Sequence, residues 1–434
     1  MRLRTGEVAE ATGGELVGPD VEVDGAAIDS RRIRGGELFV AVRAERDGHD
    51  FVPAALAAGA GACMTSREPD EGTAVVVDDT RRALADVGRL ARSRLGGRVL
   101  AVTGSVGKTS VKDLLAAAVS GRWRSAASAG SFNNELGVPL TLVGAPDDAD
   151  MVVVEMGARA PGDLRYLCDI ASPEIGIVTA VALVHTETFG ALEQVARAKG
   201  ELVESLPSRG TAVLNADDAL VAAMAGRTSA RVVTYGLADA EVTAGNVVVD
   251  ADLRPSFRLH SPWGDAEVHL GVRGRHQVSN ALAAAAAALA CGATPEEVAE
   301  GLGRAELSPW RMALVRSTAG AVVVNDAYNA NPASMAAALR GLAELDARRR
   351  IAVLGTMAEL GDVSAREHRA VSDLARDLGI RVVAVGEPAY GSEVVAGIDE
   401  ALAELGELAE GDAVLVKGSR VAGLERLADR LIEQ

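Results

Sequence analysis

The strongest constraint on the fold is one stretch, RVLAVTGSVGKTS at positions 98–110. It opens with an apolar, β-branched run, 99–102, of the length of a buried strand. Gly104, Ser105, Val106, Gly107, Lys108, Thr109 and Ser110 follow, and then a helical pattern over 111–119. Strand, glycine-rich turn and helix in that order make a phosphate-binding loop credible. The glycines let backbone N–H groups approach phosphate oxygens, and the helix N-terminus adds a favourable dipole. Lys108 is expected at the β- and γ-phosphates, and Thr109 or Ser110 at a Mg²⁺ ion. The loop is a shortened one: the longer pattern G-x-x-x-x-G-K-[ST] has Gly at the position of Val102, and here the first glycine is Gly104. A glycine-rich turn with an exposed lysine is the bland alternative, and the flanking strand and helix argue against it.

The 434-residue length suggests about three domains. Hydrophobic residues make up 48% and aromatics only 3%, so the cores must be built from Ala, Val and Leu. A net charge of −17 argues against general binding of nucleic acid or of an anionic membrane, but not against a locally bound nucleotide. Cys63, Cys168 and Cys291 lie far apart in apolar surroundings and read as buried, reduced thiols. The opening residues lack the apolar core of a signal peptide, and the alanine-rich run 281–290 is too short to span a bilayer. The expectation is a cytoplasmic protein without membrane insertion, monomeric by default. Of 44 basic residues only four are lysines: Lys108, Lys112, Lys199 and Lys417. A chain that uses Arg for solvated charge keeps Lys where a compact, deprotonatable amine is needed. That argument favours Lys108, Lys199 and Lys417; Lys112 reads equally well as a leftover surface lysine.

The chain divides at composition and pattern shifts into residues 1–97, 98–312 and 313–434. The first is a small α/β unit, and its Ser30 and Arg31 could meet an anionic ligand or serve as a cap and a solvated charge. In the second, 131–139 reads as a polar loop carrying Asn133 and Asn134, as turn formers or substrate contacts. Glu155 ends the apolar strand 151–155, where a nucleotide-bound Mg²⁺ is usually met; a strand-end charge in solvent is the bland alternative. His185 follows the strand 175–179 on the same predicted edge. Lys199 sits in a helix over 194–206, where an exposed i,i+4 partner of a carboxylate is the bland alternative, and 230–272 alternates like one antiparallel sheet of four strands. In the third unit, strands and helices alternate as in a doubly wound sheet, with polar residues at strand ends: Asp326, Asn329, and the turn holding Lys417 and Ser419.

Seven segments together resemble the Mur ligase family over essentially the whole chain: TGSVGKT (103–109), FNNELGVP (132–139), EMG (155–157), AKGE (198–201), GRHQVSN (274–280), NDAYNANP (325–332) and LGTMAELG (354–361). The resemblance implies an α/β protein of three domains. A central P-loop ATPase-like domain with a parallel sheet (98–312) lies between an N-terminal UDP-substrate domain (1–97) and a C-terminal Rossmann-like ligase domain (313–434). It implies an ATP-dependent amide ligase working through an acyl phosphate. The segments 325–332 and 355–361 point to the branch that adds D-Ala-D-Ala to a UDP-linked muramoyl tripeptide during peptidoglycan synthesis. By position, the loop 104–110 holds the ATP phosphates. Thr109, Glu155, His185 and Lys199 ligate Mg²⁺, with two ions and a carbamylated Lys199. Lys108, Lys199 and His185 thus fall in the catalytic centre. His276 and Asn280 match the adenine-side motif, and Arg311 and Asp326 ribose or phosphate contacts. Ser30 and Arg31 fall where UDP is met; Asn133, Asn134, Asn329, Lys417 and Ser419 fall near substrate.

Three segments depart from the family pattern: Thr179-Ala180-Val181-Ala182 before His185, Ser131 in the loop 130–134, and Arg43-Ala44-Glu45-Arg46 before Asp47. They keep open a paralogous amide ligase acting on another carboxylate and amine. A nucleotide-binding regulator without catalysis is the third reading. Retention of Lys108, Thr109, Glu155, His185 and Lys199 speaks against it.

Overall fold

The computed structural model describes residues 1–182 and 191–433. Its centre is a six-stranded, all-parallel sheet in the order Arg231–Tyr235, Thr211–Asn215, Ile175–Val178, Arg98–Thr103, Met151–Glu155, Ser125–Ala127. The strand that feeds the phosphate loop is therefore flanked by Ile175–Val178 and Met151–Glu155. Its side chains alternate between two cores: Val99 and Ala101 face one, Leu100 and Val102 the other. Burial on both faces explains the unbroken apolar run, since a parallel sheet covered by helices has no polar side. The helix Gln277–Cys291 packs on the helix Lys108–Ser120, and its residues 281–289 are fully buried. Alanine lets the two backbones come close, which is how a protein with few aromatics fills this layer.

The region 230–272 is not one antiparallel sheet. Arg231–Tyr235 pairs in parallel with Thr211–Asn215 and closes the central sheet. Only Thr243–Val249, Pro255–His260 and Ala266–His269 form a separate antiparallel sheet. The alternation in 231–235 is that of an edge strand with one partly open face, and local pattern cannot tell which sheet such a strand joins. Two helix boundaries also differ. The polar loop ends earlier than expected, because the helix Gly137–Gly144 begins inside it. The expected helix 194–206 is two helices, Leu192–Lys199 and Glu201–Glu204. Between them Arg227 donates to the carbonyls of Ala196 (3.2 Å) and Arg197 (2.8 Å), and a Cβ on Gly200 would meet its guanidinium at 1.9 Å.

Toward the N-terminus a five-stranded sheet runs Glu15–Val17, Ala74–Val76, Ala62–Thr65, Leu38–Val40, Ala26–Ala27, antiparallel only in its first pair. Toward the C-terminus a six-stranded sheet runs Ala313–Arg316, Val322–Asn325, Asp412–Lys417, Arg349–Leu354, Arg381–Val385, Glu393–Val395, again antiparallel only in its first pair. The helix Thr80–Arg94 packs on Gly137–Gly144. Arg275 pairs with Glu344 (3.0 Å) between the central and C-terminal parts. The three cysteines are free and buried. Among the described residues no helix is long and apolar enough to cross a membrane.

Candidate active site

The strand order brings the carboxyl ends of Arg98–Thr103, Met151–Glu155 and Ile175–Val178 side by side, at the point in an open α/β sheet where ligands bind. Gly104 and Gly107 take φ of +146° and +86°, backbone that a side chain would strain, and a Cβ on Gly104 would stand 1.9 Å from the Thr179 hydroxyl. The Thr179 hydroxyl donates to the Val106 carbonyl at 2.5 Å. Ser105 N donates to the Ala180 carbonyl (2.7 Å), and the Ser105 hydroxyl is bonded to both N and O of Ala182 (3.0 Å each). The departure at 180–182 is thus explained: these residues grip the loop through their backbone, so alanine serves. Asn215 and Asp218 hold the same segment, at Thr179 O (2.8 Å) and Val181 N (2.8 Å).

Lys108 opens the helix Lys108–Ser120, and its ammonium folds over the loop to the Gly104 (2.8 Å) and Ser105 (3.4 Å) carbonyls. Burial lowers its pKa, against the opposing pull of Glu155 and with the help of Arg311. Glu155 is 1% exposed. Its carboxylate accepts from the Thr109 hydroxyl and from the Asn133 amide, both at 2.7 Å. A hydroxyl and a carboxylate converging beside a phosphate loop are hard oxygen donors of the kind Mg²⁺ takes. Among the described residues no three His, Cys, Asp or Glu side chains cluster to hold a metal. His185, the fourth expected ligand, lies outside the described residues.

Lys199 ends the helix Leu192–Lys199, 2% exposed, with its amine 3.5 Å from the Ala158 carbonyl. Burial first, and the nearby Lys108 second, push its pKa down to about 7. A large share of this amine is therefore neutral at physiological pH. His276 is next to the start of Gln277–Cys291, and burial lowers its pKa too. Asn280 donates to Gln277 (2.8 Å), which in turn meets His276 (3.1 Å). Gly107 passes so close to Asn280 that a Cβ there would be 2.6 Å from its amide oxygen.

The C-terminal sheet supplies the opposite wall. Lys417, 2% exposed, pairs with Asp326 at 2.6 Å and donates to the Asn329 carbonyl at 2.9 Å. Asp326 also accepts from Met312 N (3.1 Å). The Arg311 guanidinium lies 4.1 Å from the Tyr328 ring centroid, and its buried Nε has no partner. Ser419 accepts from Ala358 N (2.9 Å). Together these elements enclose a cavity of about 1020 Å³ lined by residues 104–110, Asn133, Asn134, Glu155, Lys199, His276, Asn280, Arg311, Asp326, Asn329, Lys417 and Ser419. Asn134 also caps the helix Gly137–Gly144 through Gly137 N (3.0 Å). Ser30 and Arg31 do not line the cavity, although Ile28 does. Arg31 is turned onto Asp29 (2.8 Å) and holds its carboxyl at about 2.

Two contributors escaped the sequence reading. Tyr328, inside the segment NDAYNANP, bonds its hydroxyl to that of Ser131 across the cavity, joining the central and C-terminal parts. Ser128 follows the strand Ser125–Ala127, and its hydroxyl accepts from Glu155 N at 3.1 Å. Nothing in its sequence context marks it. Lys112 is also not a surface residue: it is 2% exposed.

Residues 102–288 match the family model of the Mur ligase middle domain, and 310–420 that of the Mur ligase glutamate ligase domain. The chain is 40% identical to a UDP-N-acetylmuramoyl-tripeptide–D-alanyl-D-alanine ligase of Mycobacterium tuberculosis H37Rv, over 100% of this chain and 98% of the relative. It is 37% identical to the Escherichia coli K12 protein of that name, over 98% of each. Among solved structures, MurF of Acinetobacter baumannii superposes with a TM-score of 0.90 at 30% identity, covering 100% of this chain and 99% of that one. The MurF ligase of Thermotoga maritima in complex with ADP gives 0.82 at 25% identity, covering 94% and 97%.

Proposed function

The chain belongs to the Mur ligase family, and from that premise we infer that it is an ATP-dependent amide ligase joining D-Ala-D-Ala to a UDP-linked muramoyl tripeptide in peptidoglycan synthesis. The observation that carries this is full-length likeness to relatives of that one activity, with the cavity built from both sheets and lined by Lys108, Arg311 and Lys417 beside it. That likeness also favours this reading over the paralogue, and of the departures that kept the paralogue open the one at 180–182 is accounted for by the Ala180 and Ala182 backbone contacts. We take the domains as 1–97, 98–312 and 313–434, the first meeting the UDP moiety near Ser30 and Arg31. We take the enzyme to be a monomer, and its dependence on ATP supports a cytoplasmic location.

The γ-phosphoryl of ATP passes to the tripeptide carboxylate, breaking the bond to ADP and giving an acyl phosphate. The dipeptide amine then attacks the carbonyl carbon, phosphate leaves, and the nitrogen gives up a proton. Two anions must first meet in a protein of net charge −17. The loop N–H groups and Lys108 cradle the phosphates, and Arg311 stands ready to neutralise charge from the C-terminal side. His276 and Asn280 border the loop on the adenine side, Asp326 meets ribose or phosphate, and Asn133, Asn134, Asn329, Lys417 and Ser419 shape the substrate end. Thr109 and Glu155 would hold Mg²⁺, with His185 and a carbamylated Lys199 completing a two-ion site. The ions would screen the phosphates and stabilise the transferring phosphoryl group. Carbamylation needs a neutral amine, which adds to CO₂ with loss of a proton, and a pKa of about 7 supplies one. Arg cannot do this. The C-terminal sheet, as the opposite wall of the cavity, would limit the access of water to the acyl phosphate.

The test is phosphate release from MgATP with the UDP-linked tripeptide and D-Ala-D-Ala, each omitted in turn. Release that requires all three, with pentapeptide formed, is expected. Binding of ATP without product from this pair would overturn the substrate assignment.

A further inference from the structure

Lys112 lies one turn past Lys108 on the helix Lys108–Ser120 and is absent from the cavity wall. A chain that spends 40 of its 44 basic residues on Arg has nonetheless buried a lysine here, at 2% exposure. Its ammonium donates to the Ser128 carbonyl at 2.8 Å and pairs with Asp113 at 2.6 Å. Ser128 is itself 2% exposed, and it is fixed on three sides: Lys112 at its carbonyl, Val153 O at its N–H (2.9 Å), and Glu155 N and Thr141 at its hydroxyl (3.1 and 3.2 Å). Five residues on, the same segment carries Asn133, whose amide grips the Glu155 carboxylate. The corner at Ser128 therefore sets both the backbone and the side chain of Glu155.

We propose that Lys112 is a positioning residue for Glu155: by tethering the Ser128 carbonyl to the phosphate-loop helix, it fixes the carboxylate opposite Thr109. Asp113 makes the tether tolerable by neutralising the buried ammonium, and its other oxygen accepts from Ser308 N (2.8 Å), just ahead of Arg311. A guanidinium is a planar fork and does not reproduce a single point donor at that carbonyl, which accounts for lysine in an arginine-using chain. The proposal rests on the reading of Glu155 as a metal ligand.

The test uses the full chain with ADP and reads Mn²⁺, a paramagnetic stand-in for Mg²⁺, by the EPR signal of the free ion. Lys112→Met keeps the stem and removes the ammonium. It is expected to weaken Mn²⁺ binding by about tenfold, the scale on which groups behind a metal ligand act, while metal-free ADP affinity stays within about twofold. A folded Lys112→Met protein with native Mn²⁺ affinity overturns the proposal, as does one that loses ADP and Mn²⁺ equally. If Lys112→Met does not fold, Lys112→Arg, which keeps the charge, is judged by the same criterion. Glu155→Gln is the control. If it too binds Mn²⁺ normally, the metal reading fails; if it loses Mn²⁺ where Lys112→Met does not, only the role of Lys112 fails.

Discussion

Lys199 is the residue at which composition, burial and chemistry meet. Its helix is stopped by Gly200 and Arg227, which leaves the amine at a helix end, buried and near Lys108. Two consequences can be measured. Lys199→Ala should lower kcat by about 10²–10³-fold, the usual scale for losing one preorganised charge-stabilising group, with partial rescue by acetate or formate. Lys199→Arg should be equally poor and not rescued; an active Lys199→Arg enzyme would remove the carbamate from the mechanism. The second consequence is in stability. The unfolded chain takes up this proton near pH 10.5 and the folded chain only near pH 7. Between those values the unfolded state binds more protons, so this group's contribution to stability falls as pH drops from about 10 to 7 and is constant below. Urea unfolding in CO₂-free buffer should show that loss in the wild type and not in Lys199→Met.

At the scale of elements, the phosphate loop is only as rigid as the helix it opens. The helix Pro295–Gly303 crosses Lys108–Ser120 at Gly301, where a Cβ would stand 2.5 Å from the Ala117 carbonyl and 2.6 Å from the Ala118 Cα. Backbone cannot yield as a side chain can. Gly301→Ala should therefore cost about 1–3 kcal/mol, read as a lower urea midpoint at unchanged slope. A native midpoint would mean that the two helices separate freely. The same elements show what could be read from sequence. The strand 98–103, its loop and the helix after it were legible because burial on both faces, positive φ and helix periodicity are local demands. The placement of Glu155 beside the loop was legible because it ends an apolar strand next to the one that feeds the loop, and its burial against Thr109 removes the alternative of a solvated charge. The sheet membership of Arg231–Tyr235 was not, since pairing is a tertiary choice. Nor was the break at Gly200, set by an arginine 27 positions on. Lys112 and Ser128 stayed hidden because their roles lie in contacts to backbone groups, which leave no side-chain signature.

At the scale of the molecule, the C-terminal sheet brings Arg311, Asp326 and Lys417 to a cavity whose floor belongs to the central sheet. The Ser131–Tyr328 hydroxyl pair is a polar link between the two parts that reaches directly into the loop carrying Asn133. Ser131 stands at one of the departures from the family pattern. Tyr328→Phe keeps the ring beneath Arg311 and deletes only the bond. One such bond contributes about 1 kcal/mol net, so the assembled arrangement should become about fivefold less populated relative to a separated one. ATP meets mainly the central loop, and its binding should hardly change. The dipeptide needs both walls, and its KM should rise by about the same fivefold. Amide hydrogen exchange should localise the effect: faster across 128–137, which loses its tether, and unchanged in Arg98–Thr103, which is buried in the sheet whatever the C-terminal part does. If exchange in 128–137 stays native while the dipeptide KM rises, the hydroxyl touches substrate and does not join domains. If both stay native, the two parts are held by the Arg275–Glu344 pair and the linker through Ser308 rather than by the hydroxyl pair.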